Sequence, residues 1–166
     1  MEHTPIEAGS MELKDPESIA KEIQKAILEG LGKAIGEKVA EHALRPRNAG
    51  VLEDPDGEAT LSGICEDTIR IQLKLAQDRI IDIAFMTNGC AATIACSSMA
   101  TELAKGATVG EALSIDGKKV IEALGGLPIE HTHCADLAAN TLKKAVRDAL
   151  QTRNEPWKKL YRSRGA

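Results

Sequence analysis

Apolar positions recur every four residues near the start of the chain, where Ile19, Ile23, Ile27, Leu31, Ile35 and Val39 form one stripe. That spacing predicts an amphipathic helix. Asp15-Pro16-Glu17 opens it, with Asp15 as N-cap and Pro16 at the first helical position, and Arg45-Pro46-Arg47-Asn48-Ala49-Gly50 ends it. Gly30, Gly32 and Gly36 fall inside the span, each costing about 1 kcal/mol relative to Ala. The helix therefore requires a partner surface, either its own sheet or another protomer. Beyond the acidic turn from Glu53 to Glu58 the period changes to two. Ile69, Ile71, Leu73 and Leu75 alternate with Arg70, Gln72 and Lys74; after a turn at residues 76–79, Ile81, Ile83 and Phe85 continue the alternation. With a weaker strand from Glu58 to Ser62 before them, these segments predict a three-stranded antiparallel meander.

Helical spacing resumes after Gly89. Ala92, Ala95, Cys96, Met99 and Leu103 share one face, and Lys105-Gly106 closes the helix. Thr108 caps a short helix through Leu113, and Asp116 to Leu124 forms another, stopped by Gly125-Gly126 and Pro128. A long helix runs from Cys134 to about Gln151 with Ala138, Leu142, Ala145 and Ala149 on its inner side. The fold class expected is α+β: a three-stranded antiparallel sheet packed against several helices, with an additional N-terminal helix. The chain divides into a disordered tail over 1–14, a helical extension over 15–44, a main domain over 45–152 and a basic C-terminal tail over 153–166.

The chain has 166 residues, enough for one domain with a core. One Trp, one Tyr and one Phe leave that core to Ile, Leu, Val, Ala and Met. With so few stacking rings and a net charge of -4, a nucleic-acid partner is not expected. Nor is a membrane partner, since no long apolar run or signal-peptide pattern occurs. The expected location is cytoplasmic. Four cysteines in a reducing compartment are metal ligands, nucleophiles or buried small hydrophobes rather than disulfides.

Three of them stand at element boundaries. Cys65 lies in the loop between the first two strands, Cys90 follows Asn88-Gly89 ahead of a helix, and Cys134 opens the last helix after His131-Thr132-His133. Helix starts and loops favour thiolate, the form that binds soft metals. Asp67 and His133 add an oxygen and a nitrogen donor beside them. Cys96, in mid-helix, reads as packing, and His3 and His42 as solvated; taken alone, His131 and His133 read as loop residues. No C-x-x-C occurs, so neither a zinc ribbon nor a thioredoxin-like dithiol is indicated. Spacing by itself leaves a metal site, reactive thiols and plain packing all open.

The segments around these residues resemble the IscU/NifU-type iron–sulfur cluster assembly scaffolds. Glu37 to His42 leading into Arg45-Pro46-Arg47-Asn48-Ala49-Gly50 is similar to their opening segment, and Gly63-Ile64-Cys65-Glu66-Asp67 to their first ligand loop. Thr87-Asn88-Gly89-Cys90 through Ser98 resembles the second, and Leu127-Pro128 through His133-Cys134-Ala135-Asp136-Leu137-Ala138 the third. The resemblance runs from Ile35 to Leu150. It implies ligands gathered at one end of the sheet: Cys65, Asp67, Cys90, His133 and Cys134. It also implies that a [2Fe–2S] cluster, or a [4Fe–4S] one, is built there from iron and sulfur, with zinc as an occupant of the purified protein. The sulfur comes from a pyridoxal-phosphate cysteine desulfurase, and the cluster passes to apo iron–sulfur recipient proteins. A cluster bridging two subunits would make the extra helix a homodimer contact. The chain would be a carrier and not an enzyme, without catalytic residues of its own; the other reading is a zinc-dependent sulfur acceptor. Three departures stand out. Glu66 sits where the family often has Gly, Cys96 where it has Ser, and Leu127-Pro128-Ile129-Glu130-His131 replaces the Leu-Pro-Pro-Val-Lys segment that a dedicated chaperone reads in many members.

Overall fold

The computed structural model describes residues 15–157; the tail expected over 1–14 and the chain from 158 onward lie outside the described residues. The Asp15 carboxylate accepts from the Ser18 amide at 2.9 Å and starts α1 (Pro16–Ile35). The single helix expected up to Arg45 is in fact two. Gly36 adopts φ 98°, a conformation that side chains disfavour and glycine does not. α2 (Glu37–Leu44) then turns back, and Ile27 and Leu28 face Leu44 and Arg45 across a shallow groove. α1 contains no buried residue, and Ile19, Ile23 and Ile27 remain exposed.

β1 (Gly57–Ser62), β2 (Thr68–Ala76) and β3 (Arg79–Thr87) form an antiparallel sheet in the order β1-β2-β3. Ile69, Ile71 and Leu73 alternate inward as expected, and so do Ile83 and Phe85, but the start of β3 departs from that phase. A bulge between Lys74 and Leu75 pairs Leu75 with Ile80, so Ile80 is fully buried and Ile81 is 55% exposed. One residue out of register exchanges the two faces of a strand. Leu75 itself is only partly buried.

α3 (Ala91–Ala104) follows β3, then α4 (Val109–Leu113), α5 (Gly117–Ala123), a 3₁₀ turn at Ile129–His131 and α6 (Thr132–Asn154). α6 lies across β1 and β2 and against α3, while α2 covers α3 from the other side. Enclosed in this way, α3 buries Thr93, Ser97, Ser98 and Thr101 as well as its alanines. Ser97 and Thr101 hydroxyls donate to the carbonyls of Thr93 and Ser97, four residues back, which satisfies them without a partner element. Leu103, expected on the inner face, is partly exposed at the rim, and Ala100 and Ala104 take the inward positions.

The Pro-Arg-Asn-x-Gly segment ties these layers together. Phe85 N donates to Asn48 O, and Gly50 N to Phe85 O, each at 2.9 Å, which bridges the free edge of β3. Asn48 reaches this register with φ 62°, a left-handed conformation that asparagine tolerates. His42 is not solvated, as its polarity suggested, but 1% exposed. Its Nε2 accepts from Arg47 Nη1 at 2.7 Å, so its Nδ1 carries the proton and donates to Ser98 Oγ at 2.9 Å. Arg47 N donates to the same hydroxyl at 2.8 Å, and Arg47 Nη2 pairs with Glu41.

Candidate metal centre

Three chain crossings meet at one end of the sheet. The β1–β2 loop is closed by hydrogen bonds from Gly63 N to Asp67 O and from Glu66 N to Gly63 O. Within it, Glu66 takes φ 61° and Cys65 points outward, exposed. Left-handed backbone costs a side-chain-bearing residue about 1 kcal/mol or more, and glycine would avoid that at this position. The β3–α3 junction supplies the second crossing, with Cys90 as the N-cap of α3. Gly89 before it has no room for a side chain: a β-carbon would lie 2.6 Å from Thr93 Cβ and 2.8 Å from Asp67 Oδ2. The third is the start of α6. That helix begins at Thr132, two residues before the expected Cys134, so Cys134 falls in its first turn, with His131 as N-cap.

The expected residues are brought together, though not into one coordination sphere. Cys65 Sγ lies 3.2 Å from His133 Nε2, which is 3.5 Å from Cys134 Sγ. Asp67 connects through Thr93, whose buried hydroxyl donates to Asp67 Oδ2 at 2.5 Å. Thr93 Oγ1 also lies 3.3 Å from Cys134 Sγ and 3.5 Å from Cys90 Sγ. Among the described residues, one group of three donors is compact enough for a single ion: Cys90, His131 and Cys134, all within 4.8 Å of one another. Cys65 and Asp67 stand outside that triad. Two thiols and an imidazole are a donor set suited to Fe(II) or Zn(II), with a further position open. Cys65 and His133 offer a second thiol–imidazole pair next to it.

Sequence reasoning did not single out Thr93 or assign His131 to the site. Thr93 carried no signal beyond its place three residues after Cys90. His131 had one: it lies three residues before Cys134, the spacing that puts two side chains on the same side of a helix start.

The thiols differ in their electrostatics. Burial pushes Cys90 up, but the Thr93 hydroxyl and the Thr93 and Ala92 amides at the start of α3 outweigh it, and the thiol lies below its ordinary value. Cys134 lies above it, mainly through burial; the Thr93 hydroxyl works the other way, while negative charge on Cys90 and Asp67 adds to the rise. Cys96, fully buried in α3, is pushed far up by burial and stays a packed thiol. All four cysteines are free.

The sequence model of the NifU-like N-terminal domain matches residues 34–155. An iron–sulfur cluster assembly scaffold protein, IscU 1, of Archaeoglobus fulgidus is 51% identical over 113 residues, covering 68% of this chain and 74% of that one. The IscU scaffold protein of Azotobacter vinelandii is 42% identical over 120 residues, covering 69% of this chain and 93% of that one. The crystal structure of a nitrogen-fixing NifU-like protein (N-terminal) from Brucella abortus aligns with a TM-score of 0.55 at 20% identity, over 69% of this chain and 93% of that one, and shows the shared fold. Over residues 34–155, this chain belongs to the NifU-like N-terminal domain family.

Proposed function

We propose that this protein is a cytoplasmic scaffold, not an enzyme, on which a [2Fe–2S] cluster is assembled and then passed to apo-proteins. The observation that carries the reading is the convergence of Cys65, Cys90 and Cys134 with Asp67 and His133 at one end of the sheet, through His133 and Thr93. The family's scaffold members, 51% and 42% identical, support it. So does the mixed donor set, because carboxylate and imidazole exchange more readily than thiolate and let a cluster leave. Free thiols at the site are consistent with a reducing compartment.

Sulfur reaches the site from a cysteine desulfurase as the terminal atom of a persulfide. A scaffold thiolate attacks that atom, the persulfide S–S bond breaks, and the desulfurase cysteine leaves as thiolate. Two sulfane sulfurs need four electrons to become sulfide. Two ferrous ions give up two on becoming ferric, so an electron-donor protein or thiol must supply the other two. The exposed side chains of Ile64 and Ile129 flank the site in sequence, beside Cys65 and His131, and give a partner protein an apolar rim. The same donors would also hold Zn²⁺, which a two-thiolate, one-imidazole set suits.

Anaerobic reconstitution with ferrous iron, sulfide and reductant tests the reading. It should produce visible-region absorbance that Cys90→Ala loses. Absence of that absorbance from the wild-type protein overturns it. If zinc-loaded protein instead stimulates desulfurase turnover and no cluster forms, the zinc-dependent sulfur acceptor is the correct reading. A homodimer through the exposed isoleucine face of α1 is part of the proposal. Sedimentation should show a dimer for the full chain and a monomer for a chain starting at Ile35; an unchanged state removes α1 from the interface.

A further inference from the structure

We infer that His131 is a metal ligand, completing with Cys90 and Cys134 a site for a single divalent cation distinct from the neighbouring Cys65–His133 pair. The inference deepens the scaffold reading and rests on it only for the identity of the ion as iron on its way into a cluster. Its first support is geometric. A ring nitrogen of His131 and the sulfurs of Cys90 and Cys134 lie within 4.8 Å of one another. Tetrahedral coordination at ordinary metal–sulfur and metal–nitrogen lengths needs separations of roughly 3.6–3.8 Å, a contraction that side-chain rotation can supply. Cys65 has its own partner, His133, at 3.2 Å.

The second support is the way the backbone delivers the three groups. His131 and Cys134 are the N-cap and the first turn of α6, three residues apart, and Cys90 is the N-cap of α3. Both positive helix ends therefore face the same point. The third is charge. Two thiolates and a neutral imidazole balance one divalent cation, so the complex is neutral where Cys134 is buried. Three thiolates and a carboxylate around one ion would leave two negative charges uncompensated. The segment that carries Lys in many family members carries His131 in this chain, and a protonated lysine cannot ligate.

Cobalt(II), a spectroscopic stand-in for iron and zinc, tests the proposal in the full chain, made metal-free and kept anaerobic. One equivalent should give tetrahedral ligand-field bands, and X-ray absorption should show two sulfurs and one imidazole. His131→Ala and His131→Lys should each remove the imidazole signal and weaken binding by at least about tenfold, the lower bound seen when groups that only hydrogen-bond a metal ligand are lost. His133→Ala and Cys65→Ala should leave that first equivalent within about twofold of wild type, and unchanged circular dichroism guards against misfolding. The reverse pattern, with imidazole lost in His133→Ala and retained in His131→Ala, overturns the proposal. So does a three-sulfur first shell. Cluster reconstitution separates the two readings: a wild-type cluster forming on a protein whose cobalt ignores His131 sinks this inference alone. Cobalt bound through His131 in a protein that makes no cluster supports the site and sinks the scaffold reading.

Discussion

Thr93 has one hydroxyl proton and three neighbours competing for its oxygen: Asp67, Cys90 and Cys134. The carboxylate is the strongest acceptor and takes the proton in the metal-free site. When a thiol ionises to bind metal, it competes with Asp67 for that single proton. Thr93 thereby couples the carboxylate to the sulfurs without touching a metal. Thr93→Val should lower metal-free stability by about 1–2 kcal/mol, because a charged acceptor loses its donor, while Thr93→Ser should retain most of it; urea unfolding checks both. His42 gives the pH prediction. Burial is the main reason its imidazole lies below the usual 6.5; Arg47 and Lys38 act in the same direction, and Glu102 and Glu41 oppose them. The unfolded chain therefore binds the proton more readily. The stabilisation is complete above the unfolded value and is lost as pH falls through the folded one. Between pH 7 and pH 5 the unfolding midpoint should drop further for wild type than for His42→Asn, which keeps a donor for Ser98 but cannot become charged. Equal slopes would show that His42 is not the titrating group.

At the scale of elements, the two helix starts and the β1–β2 loop decide what the site can hold. α3 and α6 present their N-termini to the same place because Gly89 allows the junction to approach Thr93 and Asp67 closely. The loop is less relaxed, with Glu66 held at φ 61°. Glycine normally destabilises relative to alanine through its unfolded-state freedom, but a left-handed position reverses that order. Glu66→Gly should therefore be more stable than Glu66→Ala by about 1 kcal/mol, read from thermal unfolding. The ordinary order, with alanine ahead, would mean that the loop is not held in this conformation. α1 is the contrasting element: it is well capped by Asp15 but has no fully buried residue, so its own packing adds little to the core.

Across the whole molecule, the candidate ligands tie together segments far apart in sequence: the loop after β1, the junction after β3 and the start of α6. An ion held there binds the folded chain and not the unfolded one, so loading stabilises the domain globally. Zn²⁺ at a hundred times its dissociation constant should contribute about 2.7 kcal/mol, raising the unfolding temperature by roughly 5–10 °C for a domain of this size. A chelator should reverse the shift, and Cys90→Ala or Cys134→Ala should abolish it. A shift that survives both substitutions would place the metal elsewhere. The core beneath the site has little aromatic content and does without it, because α3 is enclosed between α2, α6 and the sheet, and its Ser97 and Thr101 hydroxyls donate within their own helix.

The sequence by itself determined the elements and the meander, because caps, turns and periodicity are local; the gathering of Cys65, Asp67, Cys90, His133 and Cys134 was legible only through the resemblance of their flanking segments to a known family. Which glycine breaks the first helix was not legible: Gly30 and Gly32 stay helical while Gly36 does not, a choice settled by how α2 packs on α3. The phase of β3 depended on a bulge that only pairing with β2 creates, so Ile80 and Ile81 exchanged faces. His42 and His131 looked alike as polar residues; tertiary structure buried one against Ser98 and Arg47 and set the other beside two sulfurs. Periodicity assigns residues to faces, but distances between side chains from separate elements exist only once those elements are packed. For that reason the sequence names the donors, and the tertiary structure decides which of them can share an ion.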